Sequence, residues 1–600
     1  MNNRHLAHFT KLHDHHRRAW ESLKSQSFKI ALARLTVFLF SVAISILIYK
    51  FQLPAAYYLL VFAVALPIFL YMVSRGQTVK EKELLEEQLT LLNEYEVHAQ
   101  RGDLSNFETG TEHQIPGHPF ALDLDLFGEK SIFQYLNRCS SEKGRKALAN
   151  QLLFPMQSAE AIRDRQTAVK ELSGLESWRQ KYWAQGQISH SESKLKVFLS
   201  WIENGERINI SAFLNILLYV MPLVFIILSA TAIVGLSPAL YAILVFILNL
   251  IIIGFYLGKI NKIHSQVGKI AQDLTAQTEL IKLVENQKFR SLELNHLKSH
   301  LSTEGNTASS TIRKLSGILN SLDNRLNILI GIFLNGAFLW DLQQIKRINV
   351  WTEKFAKQVP VWFANLNTWE MVSSFANFYF LNPESIFPEI ADSPEFEIKG
   401  LEIGHPMLLE SSRVCNNYQM ENWGKIDVVT GANMAGKSTF LRTIGITMIL
   451  SMCGSSVVAR SFKLRPTRLF SSMRTVDSLA DNSSYFFAEL SRLRESMDLA
   501  EDGEGVFIIL DEILKGTNST DKRKGSAAFI RRLSSLNCSG MVATHDLELG
   551  ALETELAGKV RNKCFEVEII NDELDFDYRL RDGVCKTLNA TFLLKKMDII

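Results

Sequence analysis

Three short runs in the last third of the chain hold residue types and spacings suited to phosphate chemistry. The first is Gly431, Ala432, Asn433, Met434, Ala435, Gly436, Lys437, Ser438 and Thr439. It satisfies the pattern G-x-x-x-x-G-K-[ST], with a run that reads as a buried strand (426–430, IDVVT) before it and a helical pattern from Phe440 onward. Glycines let backbone N–H groups approach phosphate oxygens, and a helix N-terminus adds a favourable dipole. Lys437 can reach the β and γ phosphates of ATP, and Ser438 can ligate Mg²⁺. The second run is apolar (506–510, VFIIL) and ends in Asp511 and Glu512. Asp511 can hold Mg²⁺ through water, and Glu512 can polarise an attacking water. Taken alone, two acids after an apolar strand are a common strand end. Their place about 75 residues after the lysine makes them a catalytic candidate. The third run (540–544, GMVAT) ends at His545, placed to sense a γ-phosphate.

Such residues need an α/β sheet to position them. From about residue 396 the chain alternates short apolar runs and Gly-containing turns with helical patterns, as such a domain should. Upstream the pattern is helical, and in two places it is apolar enough for a membrane. Residues 35–49 and 55–73 carry no charge and are separated only by 50–54; residues 211–234 and 239–257 flank a turn at 235–238. Each is near the length that crosses a ~30 Å hydrocarbon core as a helix. The flanks hold Lys11, Arg17, Arg18, Lys24, Lys29, Arg34, then Arg75, Lys80 and Lys82, then Lys259, Lys262 and Lys269; the two turns hold only Lys50. The positive-inside rule places both termini and all large domains in the cytoplasm.

The expected division is therefore a cytoplasmic N-terminal segment (1–34), a transmembrane hairpin (35–73), a helical linker (76–118), the start of a helical core (119–210), a second hairpin (211–257), a helical lever or core region (259–395) and an α/β domain (396–600). The net charge of +2 over 600 residues excludes a global polycation, so composition gives no nucleic-acid footprint. The six cysteines include no C-x-x-C pair, so free thiols and no metal cluster are expected.

The order of loop, acidic strand and histidine strand is that of ABC-type ATPases, in which two domains sandwich ATP. The residues also resemble one family within that class. GANMAGKSTFLR (431–442), LDEILKGTNSTD (510–521) and ATHDLELGAL (543–552) resemble the loop, acidic-strand and histidine motifs of the MutS family. Gly404-His405-Pro406 matches that family's entry to its ATPase. Asp477 and the run SYFFAEL at 484–490 resemble its signature segment; residues 581–590 resemble the close of the domain loosely. Residues 126–172 look like the start of the MutS core domain, and residues 1–110 show no resemblance.

The resemblance implies a multidomain protein: α-helical membrane hairpins, a helical MutS-like core and lever region, and a C-terminal α/β P-loop ATPase domain. It implies that Lys437 and the loop amides bind phosphates and that Ser438 and Asp511 hold Mg²⁺. Glu512 would be the base, His545 the sensor, His405 a nucleotide contact, and Ser484 the residue that completes a partner's site in a homodimer. Ala432 and Ala435 depart from the family's Pro and Gly, Asn482 sits near the signature glycine position, and Lys515 stands where the family often has Arg or Ala. The mismatch-reading domain with its Phe-x-Glu wedge is expected to be absent, since the Phe-x-Glu triplets at 127–129, 387–389 and 487–489 lie in other contexts. The leading reading is a membrane-anchored MutS-like ATPase in the bacterial inner membrane, coupling ATP to binding of mismatched or branched DNA. The alternative is an ATP-driven scaffold or signalling switch at the membrane without DNA. The absence of Asp, Glu, Lys and Arg within the four apolar cores argues against polar transport.

Overall fold

No proline or glycine interrupts residues 3–50, so one helix, Asn3–Lys50, carries both the basic N-terminal segment and the first apolar run. The return helix, Ala56–Gln100, likewise joins the second apolar run to the charged stretch after it, and it accommodates Pro67. The computed structural model describes residues 3–189, 192–205, 207–267, 271–303, 305–474, 485–570 and 573–586. The N-terminal segment and the linker expected as separate pieces are thus the near halves of two long helices. Only the end of the linker region, after residue 100, is turn-rich loop.

A second antiparallel pair, Ala212–Ile233 and Ala239–Val267, runs on past the expected boundary at 257. By length and composition these four helices can cross a membrane. A shorter apolar helix, Ile328–Phe338, bends by 78° into Trp340–Phe355.

Between the two helix pairs and the C-terminal domain lies a helical core built on Glu142–Leu153, Ala159–Ser173, Glu176–Ile188 and Gln358–Leu381. Serines 141 and 158 cap two of these helices by accepting from the amides three residues on. Trp178, Tyr182, Phe289 and Trp369 form its aromatic centre. Glu370 is buried and accepts from Ser140 Oγ (2.8 Å), Ser141 N (3.0 Å) and Ser141 Oγ (3.0 Å), so its oxygens are met by three donors. The N-terminal helices root on this core. Glu96 pairs with Arg138 at 2.6 Å, both buried, and His8 Nε2 lies 2.8 Å from Glu176.

The C-terminal domain has a six-stranded sheet in the order Leu580–Asp582, Val560–Phe565, Ile426–Gly431, Cys538–Thr544, Val506–Asp511, Arg468–Ser472. Five strands are parallel, and the edge strand Leu580–Asp582 is antiparallel. The three central strands are buried on both faces, and Asp427 inside the first of them is paired with Arg561 at 2.8 Å. A smaller sheet of Glu389–Ile390, Ser461–Leu464, Glu397–Ile403 and Asn416–Glu421 packs beside it. The chain is therefore multidomain and mostly helical, with its sheets at the C-terminal end.

Core and sheet domain are joined by a carboxylate that the chain supplies long before the sheet. Asp123, 3% exposed, accepts from Ser471 Oγ (2.8 Å), Met473 N (3.1 Å) and Arg474 N (2.8 Å) at the end of strand Arg468–Ser472. Its own carbonyl accepts from Arg442 Nε (2.9 Å), one turn into the helix after the phosphate-type loop. Leu124, next in sequence, packs so closely on Gly445 of that helix that any side chain there would collide. Removing the carboxylate leaves three donors unmet, two of them buried. Asp123→Ala should therefore lower the unfolding free energy by about 2–4 kcal/mol, read from chemical denaturation of the full chain. A change within ~0.5 kcal/mol would mean the contact is not a joint.

Candidate functional site

Parallel register brings the chemistry together. Thr544 pairs with Thr430, and Ala543 with Asp511, so the three central strands end level. Ligands in open α/β sheets bind at such carboxyl ends. The loop after Ile426–Gly431 turns into helix Lys437–Met452 at Gly436, whose φ of 99° favours glycine and whose missing Cβ would face Tyr578 at 3.0 Å. Residue 512 follows Asp511 with φ 58° and donates its N–H to Ala543 O at 2.9 Å. Met434 (φ 67°) and Leu514 (φ 59°) are also left-handed, so backbone strain gathers around one cavity.

That cavity has a volume of about 600 Å³ and is lined by residues of the loop, with Lys437, Ser438, Asp511, Glu512 and His545. Lys437 Nζ donates to Gly431 O and Ala432 O, both at 2.8 Å. Burial holds its pKa below the ordinary value against the pull of Asp511 and Glu512. Ser438 Oγ donates to Asp511 Oδ2 at 2.5 Å, so the two oxygens expected to share a cation are already adjacent. Burial alone would raise the Glu512 carboxyl, but Lys522, whose Nζ donates to Oε1 at 2.6 Å, turns the net shift downward. Glu512 is thus ionised at neutral pH. Burial first, then Lys437, lowers the His545 imidazole, which stays neutral.

Of the predicted site residues, Asn433, Met434, Ala435, Gly436, Lys437, Ser438, Thr439, His405, Asp511, Glu512 and His545 line this cavity. Gly431 and Ala432 meet it through the carbonyls that hold Lys437. Ser484, Asp477 and Asn482 lie outside the described residues. Glu489, from the same signature run, is buried in helix Tyr485–Glu501 and accepts from Lys515 N at 3.1 Å, tying that helix to the turn after Glu512.

Several cavity residues carried no sequence signal. Tyr578 and Phe565 reach the cavity from the far edge of the sheet. Asn416 holds that edge by donating to Tyr578 O (2.9 Å) and accepting from Leu580 N (2.8 Å). Lys522 was within reach: Asn518 caps helix Ser519–Leu533 and places Lys522 in its first turn, next to the acidic strand end.

The family model described as MutS domain V matches residues 427–591, the segment that holds the loop, the acidic strand and the histidine. The similarity to the MutS family is thus to this domain, 165 of the 600 residues. DNA mismatch repair protein MSH4 of Arabidopsis thaliana is 32% identical over 232 residues, 38% of this chain and 29% of that protein. DNA mismatch repair protein MutS of Orientia tsutsugamushi is 31% identical over 224 residues, 36% of this chain and 24% of the relative. MutS of Persephonella marina is 34% identical over 202 residues, 33% and 22% respectively. The chain thus spans under a third of each MutS relative's length.

His405 enters the cavity from the turn after strand Glu397–Ile403, its Nδ1 accepting from Met407 N at 3.2 Å. Burial first, then Arg442 and Arg413, pushes its pKa down to about 4. His118, at the core joint, is likewise pushed to about 4 by burial. Both imidazoles are neutral in the fold but protonate near their ordinary value when unfolded. Their contribution is therefore complete above about pH 6.5 and is lost progressively as pH falls toward about 4. His405→Gln and His118→Gln should each flatten the fall in Tm between about pH 7 and about pH 5. Unchanged slopes would show that neither imidazole is held neutral.

Proposed function

We propose that this chain is a membrane-anchored MutS-family ATPase, and the observation that carries the reading is the cavity shared by Lys437, Ser438, Asp511, Glu512 and His545. Lys437 would move from the Gly431 and Ala432 carbonyls to phosphate oxygens. The loop amides and the N-terminus of helix Lys437–Met452 would bind the remaining negative charge. Ser438 and Asp511 offer adjacent oxygens, the donor set a hard cation such as Mg²⁺ prefers, and they would hold it. Mg²⁺, when bound, supplies charge neutralisation between the phosphates. Glu512, ionised beside Lys522, would orient and polarise the attacking water; His545, neutral, would donate to the γ-phosphate.

Two chains would pair through their ATPase domains, with Ser484 of each acting on the other's nucleotide. Anchoring in a bacterial inner membrane, with the ATPase domain cytoplasmic, is supported by the four apolar helices and their basic flanks. DNA, mismatched or branched, is the effector that the family suggests, and the relatives above are mismatch repair proteins by name. One observation favours a second reading, a membrane switch without DNA. The antiparallel pair Ala212–Ile233 and Ala239–Val267 rises from the core with an apolar outer face, including Phe213, Ile216, Tyr219 and Leu223. Phosphate contacts need lysine and arginine.

Lys437→Ala should abolish ATP binding, and Glu512→Gln should bind ATP while hydrolysing at least ~100-fold more slowly. Both are read by nucleotide binding and phosphate release in nanodiscs; normal turnover in either sinks the assignment. In the same nanodiscs, ATP-dependent binding of branched or mismatched duplex, falling with log salt and absent in Lys437→Ala, selects the DNA reading. Full ATPase activity with no duplex binding above the Lys437→Ala background selects the switch.

A further inference from the structure

The bent helix pair Ile328–Phe338 and Trp340–Phe355 has an outer face unlike the rest of the helical core. Ile328, Leu329 and Phe333 are 73%, 80% and 57% exposed. From residue 326 to 340 the chain carries no Asp, Glu, Lys or Arg. A helix of 11 residues is only ~16 Å long, too short to span, and of the length seen in re-entrant segments.

Its neighbours fix where it lies. At its entry, Arg325 donates to Asn261 Oδ1 (2.7 Å) and Asp323 meets His264 (2.7 Å), just past the apolar run of helix Ala239–Val267. At its far end, Asn249 donates to Gly336 O at 2.7 Å, and the ring of Phe246 sits where a side chain on residue 336 would be. Asn249 is in the middle of that apolar run, nine residues and so ~13 Å from Gly258. After the bend at Leu339 (φ 51°), helix Trp340–Phe355 returns along the other apolar helix. Gln343 donates to Leu218 O (3.4 Å), Lys346 to Asn215 Oδ1 (2.5 Å), and Asn349 to Ile208 O (2.9 Å). The path goes in beside one helix and out beside the other. The charged groups that flank the segment are turned toward each other: Arg325 Nε lies 3.3 Å from Asp341 Oδ2, with Asp341 1% exposed. Buried, paired charges and an apolar outer face are what an element inside a bilayer requires.

We propose that residues 326–340 form a re-entrant wedge that inserts beside the second hairpin and contacts lipid acyl chains through Ile328, Leu329, Ile332 and Phe333. The occupant of this face is hydrocarbon because the wedge continues the apolar surface of the two helices on which it packs. This rests on the membrane reading above and adds a fifth membrane element, one that packing against the hairpin distinguishes from a span.

The test uses the full chain in phosphatidylcholine nanodiscs in a Cys415→Ser background, the other five cysteines being buried. Nitroxide labels at Leu329→Cys and Phe333→Cys are compared with Leu244→Cys on the hairpin and Leu401→Cys on the exposed ATPase sheet. The expected result is that both wedge labels collide severalfold more with oxygen than with a nickel chelate, as Leu244→Cys does, with Leu401→Cys reversed. Chelate-accessible wedge labels beside a lipid-like Leu244→Cys would overturn the wedge and leave the anchor standing. Wedge labels shielded from both quenchers would mean that protein, such as a second copy, covers the face, which also overturns it. An aqueous Leu244→Cys would bring down the membrane reading itself. Unsubstituted protein gives an independent check. A phospholipid carrying a photoreactive group on its acyl chain should crosslink the tryptic peptide 326–346, and its absence while hairpin peptides are labelled counts against the wedge.

Discussion

A parallel strand flanked by two others has every backbone group paired, and its position along the sheet cannot slip by one residue without turning its side chains to the other face. Strands Val506–Asp511, Cys538–Thr544 and Ile426–Gly431 are locked in this way. Because they end level, a carboxylate, an imidazole and a lysine from three distant stretches meet at one cavity. The hydrogen bond from Ser438 to Asp511 depends on that register: moving either strand by one residue, about 3.3 Å, would break it.

The sheet is in turn steadied from outside itself. Asp123 and Leu124 bind the end of strand Arg468–Ser472 and the face of helix Lys437–Met452 to the helical core. The helix that presents Ser438 therefore cannot shift without disturbing the core. The core is rooted to the N-terminal helices through Glu96, Arg138 and Glu176. A continuous chain of packed groups thus runs from the cavity to the apolar helices.

What was legible in the sequence was what is local. The loop, the acidic strand end and the histidine strand are each a few consecutive residues, and their strand context shows as short β-branched and apolar runs. The four apolar helices were legible from length and charge. The continuation of residues 3–34 into the first of them was not, because a helix boundary was placed where polarity changes rather than where the backbone would have to stop. Tyr578, Asn416 and Phe565 were missed because they arrive by sheet order, which no local pattern encodes. The helix Ile328–Phe338 was missed because 11 residues fall below the length expected of a span, and only its neighbours Asn249 and Phe246 show its depth.

The long N-terminal helix has a mechanical consequence. Phe9 is buried beside Phe380 of the core, while the apolar half of the same helix begins after Arg34. The intervening 25 residues make a rod of ~38 Å, held to its partner helix by contacts such as His16 with Glu86. A rod turns angle into distance. A tilt of about 10° at its root carries the far end sideways by about 7 Å over that length, so rearrangements in the core too small to change its packing become displacements larger than a helix radius at the apolar end.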